Sequence, residues 1–165
     1  MQPRGDQTPS DNELPPRLEL LQMVPLFQGL SLEDMVAIAE LLEPLSLPAG
    51  MLLIRENEPG DALYLVQEGE LSVIKSLGTQ REVKLATVGR GEFLGELALI
   101  DRTPRSASVR AETESGVLTL RGETFLRLME RRPALPFNTC RVLVRRIKTL
   151  ERRLFSTEGA QLSRR

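Results

Sequence analysis

The apolar positions of this chain change their period twice. Leu18, Leu20, Leu21 and Val24 mark a short amphipathic stretch stopped by Pro25, and Phe27 follows where an aromatic ring can plug into the main body. Ser31 then opens a helix, with Asp34 three residues on as its capping-box partner and Met35, Ile38, Ala39, Leu41 and Leu42 as its apolar face. Glu43 closes that helix, because Pro44 disfavours the helical conformation in the residue before it.

Beyond Pro44 the pattern becomes strand-like. Short runs, mostly rich in Val, Ile, Leu or Tyr, occupy 51–54, 63–66, 71–74, 83–88, 107–111 and 117–120. Turn signals separate them: Pro48-Ala49-Gly50, Glu58-Pro59-Gly60-Asp61, Glu68-Gly69-Glu70, Leu77-Gly78-Thr79 and Gly89-Arg90-Gly91. Their spacing of roughly 8–12 residues is that of all-β folds. Allowing for a strand or two that the pattern hides, about eight are expected, the strand number of a jelly roll. The fold class is therefore mainly β with flanking helices: an eight-stranded β-roll with an N-terminal helical segment and two C-terminal helices.

After Gly122 the helical period returns. A helix over 123–132 is ended by Pro133, and Pro136 separates it from a second helix running to about Phe155, which makes the break a candidate hinge. In the second helix Cys140, Leu143, Ile147, Leu150 and Leu154 keep the 3-4-3-4 spacing of a coiled-coil seam. That stripe suits a homodimer contact, and equally a lid lying across the roll. Cys140 reads as a small buried apolar residue within it. Arg141, Arg145, Arg146, Lys148, Arg152 and Arg153 make the other face basic; a solvated face is the default, with capping of a bound base or attraction to an acidic partner as the alternatives. The resulting plan is a disordered tail over 1–15, N-terminal helices over 16–43, a roll over 44–121, C-terminal helices over 122–155 and a flexible tail over 156–165.

Composition removes whole classes of chemistry. The 165 residues include no His and one Cys, so His-based triads, His-ligated zinc, axial-His haem, Cys-ligated iron–sulfur clusters and intrachain disulfides are excluded. No paired-carboxylate motif offers acid–base catalysis either, and no enzyme, cofactor or metal is expected. No apolar run approaches the ~18–20 residues of a membrane span. The N-terminus lacks the apolar core of a signal peptide, so a cytoplasmic protein is expected. Charge is unevenly divided: residues 121–165 carry 12 Lys/Arg against 4 Asp/Glu, and residues 1–120 carry 10 against 19. Self-contact or dimer contact between a basic helix and an acidic body accounts for this. Without a recognition module or interleaved aromatics, direct DNA binding is not expected.

The chemistry concentrates between Gly91 and Val109, in GEFLGELALIDRTPRSASV. Gly95 allows close backbone approach, and the residues after it turn like the start of a short helix whose first N–H groups lack intrahelical partners. Arg105 offers a planar fork matching two phosphate oxygens, Ser106 adds a hydroxyl, and Pro104 fixes the approach. A carboxylate would be repelled by phosphate, so Glu96 is better suited to accept hydrogen bonds from a ribose hydroxyl.

At these residues the chain resembles the cyclic-nucleotide-binding domain family, which includes the bacterial catabolite activator and the regulatory subunits of cAMP-dependent protein kinase. Gly95-Glu96-Leu97-Ala98-Leu99 and Pro104-Arg105-Ser106-Ala107 match its phosphate-binding cassette, with Leu94 standing where the family often has an aromatic. The resemblance implies that Glu96 holds the ribose 2′-hydroxyl, Arg105 the exocyclic phosphate oxygens, and the amides of Leu97, Ala98 and Ser106 the remaining oxygens. It makes Gly60 and Gly69 hallmark turn glycines and turns Val73 and Leu85 toward the base. Of the adjacent Thr and Ser that meet adenine in the catabolite activator, only a nearby Thr149 is present. The implied function is a sensor or regulatory domain for a cyclic mononucleotide, cAMP ahead of cGMP, that moves its C-terminal helices on binding. The alternative is a ligand-free interaction or dimerisation module of the same fold, in which Glu96 and Arg105 are a structural ion pair.

Overall fold

The structure is a computed structural model that describes residues 14–162. Helix α1 (Leu14–Met23), a 3-10 turn (Pro25–Phe27) and α2 (Leu32–Glu40) precede eight strands. These are β1 (Glu43–Leu47), β2 (Leu52–Ile54), β3 (Ala62–Glu68), β4 (Leu71–Lys75), β5 (Val83–Val88), β6 (Phe93–Leu94), β7 (Ser108–Ala111) and β8 (Ser115–Arg121). A short helix, α3 (Glu96–Asp101), lies between β6 and β7, and α4 (Gly122–Arg131) and α5 (Ala134–Leu162) complete the chain.

Two antiparallel four-stranded sheets form the roll, ordered β1-β8-β3-β6 and β2-β7-β4-β5. In the first sheet β3 and β8 are buried on both faces, whereas β1 is exposed along most of its length. Leu63 and Leu65 of β3, with Leu118 and Leu120 of β8, pack on a cluster of Leu20, Phe27, Ile38 and Phe125 from the helices. The alternate residues Val66 and Val117 enter a second cluster with Leu71 and Val109 of the facing sheet, the period of two expected of strands. Each of the buried phenylalanines removes enough apolar surface to be worth about 2–3 kcal/mol.

Ser31 caps α2 as its hydroxyl accepts from the Asp34 amide at 3.1 Å. The helix stops at Glu40, however, and Glu43 with Pro44 starts β1 rather than ending the helix. That strand pairs only with β8, so Pro44 costs no ladder bond on the open side. Leu14 and Pro15, expected in a tail, begin α1, whose Arg17 is buried and donates to the carbonyls of Ala39 (3.2 Å) and Leu42 (2.9 Å) at the end of α2. The remainder of the expected N-terminal tail lies outside the described residues.

The C-terminal helices also differ from expectation. Pro136 does not separate them, because it falls in the first turn of α5, where a missing N–H removes no helical bond. The break is at Arg132 and Pro133. Arg132 donates to Asp34 Oδ1 through Nε at 2.6 Å, tying the break to α2. Buried Asn138 donates to the carbonyls of Leu26 (3.1 Å) and Gln28 (2.7 Å), fastening the root of α5 to the 3-10 turn. The helix runs past Phe155 to Leu162, through residues expected to be a flexible tail, since extending an existing helix needs no new nucleus; residues 163–165 lie outside the described set.

Two outcomes are expected. Asn138→Ala leaves two carbonyls without their donor and lowers stability by about 2 kcal/mol in urea unfolding. Arg132 holds the Asp34 carboxyl below the usual carboxylate range, so this pair stabilises the fold above that range and ceases to as pH falls through the lowered value. Arg132→Leu is therefore expected to shrink the loss of melting temperature between about pH 5 and pH 3.

Candidate functional site

A cavity of about 660 Å³ lies between the second sheet, the β6-α3 segment and α5. Its floor is built by the motif read from the sequence. Gly95 takes φ +94° to turn β6 into α3, and an added Cβ there would stand 2.5 Å from Arg105 Nη1. At Gly60 a Cβ would stand 2.7 Å from the Ala98 Cβ and 3.0 Å from the Arg105 guanidinium, so both positions close on one arginine.

Arg105 is only 5% exposed. Its Nη1 donates to the Gly95 carbonyl at 2.9 Å and its Nη2 to the Ala62 carbonyl at 2.8 Å. The guanidinium carbon lies 5.7 Å from the centre of the Tyr64 ring, and burial raises the tyrosine's pKa against the opposing pull of Arg105. Two of five N–H groups are thus fixed by main chain, which aims the rest of the fork while Arg105 lines the cavity.

Glu96, 1% exposed, does not pair with Arg105. Its Oε1 accepts from Nη1 of Arg146, which reaches down from α5, donates through Nη2 to the Phe93 carbonyl at 3.1 Å and lies over the Phe93 ring at 5.1 Å. The expected alternative of a Glu96–Arg105 ion pair is therefore replaced by a Glu96–Arg146 pair between the roll and α5.

All eight residues singled out from the sequence line this one cavity: Gly95, Glu96, Leu97, Ala98, Arg105 and Ser106 on the floor, and Val73 and Leu85 on the strand side. The helix side differs from the expected solvated basic face. Arg145, Arg146, Thr149 and Arg153 turn toward the cavity, and Arg153 Nη1 donates to the Leu85 carbonyl at 3.1 Å. The signal was in the sequence, since Val142, Arg146, Thr149 and Arg153 recur at the helical spacing of the apolar stripe, displaced around the helix. Within that stripe Ile147 and Leu154 are exposed and Leu143 half-buried, so it is no seal on the roll, although Leu150 reaches the cavity rim. Cys140, expected buried, is exposed, because the root of α5 packs through Leu135, Asn138 and Thr139 instead.

The site offers one deeply placed cation, one carboxylate that accepts hydrogen bonds, and an apolar strand wall. Among the described residues no cluster of three or more His, Cys, Asp or Glu could hold a metal ion, and no helix is long and apolar enough to cross a membrane.

The chain is similar in sequence and fold to known proteins. The cAMP-dependent protein kinase regulatory subunit of Emericella nidulans is 42% identical over 109 residues, 66% of this chain and 26% of the relative, so the chain spans about a quarter of that protein's length. The crystal structure of the Thermus thermophilus catabolite activator protein superposes with a TM-score of 0.70 at 34% identity, covering 79% of this chain and 61% of that one. The regulatory domain of Toxoplasma gondii protein kinase A, solved with cAMP, gives 0.67 at 29% identity over 72% and 45% of the two chains. The family model described as cyclic nucleotide-binding domain matches residues 44–132, and with the eight-stranded roll and its cassette in place the chain belongs to that family.

Proposed function

We propose that the cavity binds a cyclic mononucleotide, cAMP ahead of cGMP, and that the chain is a non-catalytic sensor or regulatory domain acting in the cytoplasm without contacting DNA. The carrying observation is the pairing, in one cavity, of the near-buried Arg105 fork with the near-buried Glu96 carboxylate. Arg105 takes the exocyclic phosphate oxygens, assisted by the amides of Leu97, Ala98 and Ser106, and Gly95 lets the ligand approach the main chain. Glu96 accepts from the ribose 2′-hydroxyl, and Val73 and Leu85 meet the base. The names of the kinase relatives, and the cAMP in the Toxoplasma structure, support cAMP.

Arg146 gives the ligand something to move. A ribose hydroxyl on Glu96 competes with the Arg146 guanidinium, so binding weakens the contact that holds α5 down. The ligand shifts α5 only by its differential affinity for the released and latched forms. The exposed stripe supports a second role. Cys140, Leu143, Ile147 and Leu154, with Leu150 at its edge, form a face suited to a second copy of α5, giving a homodimer whose geometry the latch controls. In a chain whose site had lost its ligand, the same face would serve as the interaction module.

Calorimetric titration of nucleotide-free protein tests the reading. Saturable binding of cAMP is expected, weakened roughly thirtyfold or more by Arg105→Ala and by Glu96→Ala with the domain still folded. A flat titration by folded wild-type protein, or unchanged affinity in both variants, overturns it. Arg146→Ala is expected to raise the association rate constant several-fold in stopped-flow mixing; an unaltered rate rules out the latch.

A further inference from the structure

Behind the floor of the cavity a second ion pair acts on the anion-binding segment. Lys75, the last residue of β4, has Nζ 2.6 Å from Glu56 Oε1 and donates to the Ser106 carbonyl at 2.7 Å. Glu56 is fixed in turn: its Oε2 accepts from the Ser76 amide at 2.7 Å, and its own amide donates to the Ser108 hydroxyl at 3.0 Å. Lys75 and the Ser76 amide together hold the Glu56 carboxyl below its usual range, so Glu56 faces Lys75 as a carboxylate at neutral pH. Next to it, the Asn57 amide donates to the Arg105 carbonyl at 2.9 Å and the Arg105 amide to the Glu58 carbonyl at 2.8 Å.

These bonds set directions. The described chain contains no cis peptide, and in a trans peptide a carbonyl and the N–H of the next residue point opposite ways. With the Arg105 carbonyl drawn to Asn57 and the Ser106 carbonyl drawn to Lys75, the amides of Ser106 and Ala107 are turned away from both. Ser106 and Ala107 line the cavity, whereas Glu56 and Ser108 line a separate polar cleft. Neither amide donates to a protein acceptor among the described residues. The pair therefore works from outside the ligand cavity while fixing what faces into it.

We infer that Lys75, held by Glu56, is a positioning residue for anion binding: it orients the Ser106–Ala107 peptide so that the Ala107 amide joins that of Ser106 in facing the ligand's phosphate. This rests on the cyclic-nucleotide reading of the cavity. Lys75 also draws electron density from the peptide through its carbonyl, making the Ala107 N–H a stronger donor.

The test uses the full chain. In Lys75→Met, and in the Lys75→Met/Glu56→Gln double variant that leaves no lone carboxylate, cAMP affinity is expected to fall roughly tenfold while the melting temperature stays near that of wild type. The ¹H–¹⁵N resonances of Ser106 and Ala107 are expected to move in nucleotide-free protein, and Lys75→Arg to restore both properties. Unmoved amide resonances overturn the inference, and so does unchanged affinity in a protein whose cAMP binding is abolished by Arg105→Ala. If wild-type protein binds no cyclic nucleotide yet the two amides shift in Lys75→Met, the ligand reading fails and the positioning role stands.

Discussion

A guanidinium withdrawn from water must find its hydrogen bonds in the protein, and Arg105 finds them in main chain. Its donors reach the carbonyls of Gly95 and Ala62, and its own amide and carbonyl are tied to Glu58 and Asn57. Three segments thus converge on one residue: the stretch from Asn57 to the start of β3, the β6-α3 junction and the approach to β7. Such an arrangement tolerates little freedom, which is why side chains are absent at Gly60 and Gly95. The cost of burying the charge is offset by carbonyl dipoles rather than by a carboxylate. That leaves Glu96 available for another partner.

The rest of the fold divides into a part held by apolar packing and a part held by polar contacts. Strands β3 and β8 are apolar on both faces and cannot move relative to the helices packed on them without exposing Leu63, Leu65, Leu118 and Leu120. Buried Asn138, Leu135 and Thr139 hold the root of α5 in the same core. Beyond that root α5 meets the roll mainly through arginines whose contacts are polar and partly wet, such as Arg146 on Glu96 and Arg153 on Leu85. Losing Arg146 would leave the nearly buried Glu96 carboxylate without its partner unless another donor, such as a ligand hydroxyl, took its place.

Those features of the fold with strong local signals were legible in the sequence. The cap at Ser31, strands β2, β3, β4, β5, β7 and β8, and the cassette all stand on turn residues and periodicity. The two strands that went unseen lack such signals: β1 is exposed along most of its length and carries Pro44, and β6 is two residues long. The boundary of α2 was misplaced because Leu41 and Leu42 continue an apolar pattern after the helix has ended. At the site, the eight residues singled out share one cavity: six belong to one contiguous motif, and Val73 and Leu85 follow from the family resemblance. Arg146 and Lys75 were not assigned there, because their roles depend on which face α5 turns inward and on a strand end lying beside a distant loop. The stripe carrying Arg146 can be read from its spacing, but which stripe of α5 faces the roll, and which loop lies beside Lys75, are tertiary facts.

The length of α5 adds one more consequence. The helix spans 29 residues, and from the buried anchor at Asn138 it continues past the Glu96 contact at Arg146 to Leu162. At 1.5 Å per residue the anchor stands about 12 Å from Arg146 and about 36 Å from Leu162. As a rigid arm pivoting at that anchor, α5 multiplies any outward step at Arg146 by about three at its far end. A step at Arg146 the width of one ion-pair contact would correspond to about the diameter of a helix at Leu162.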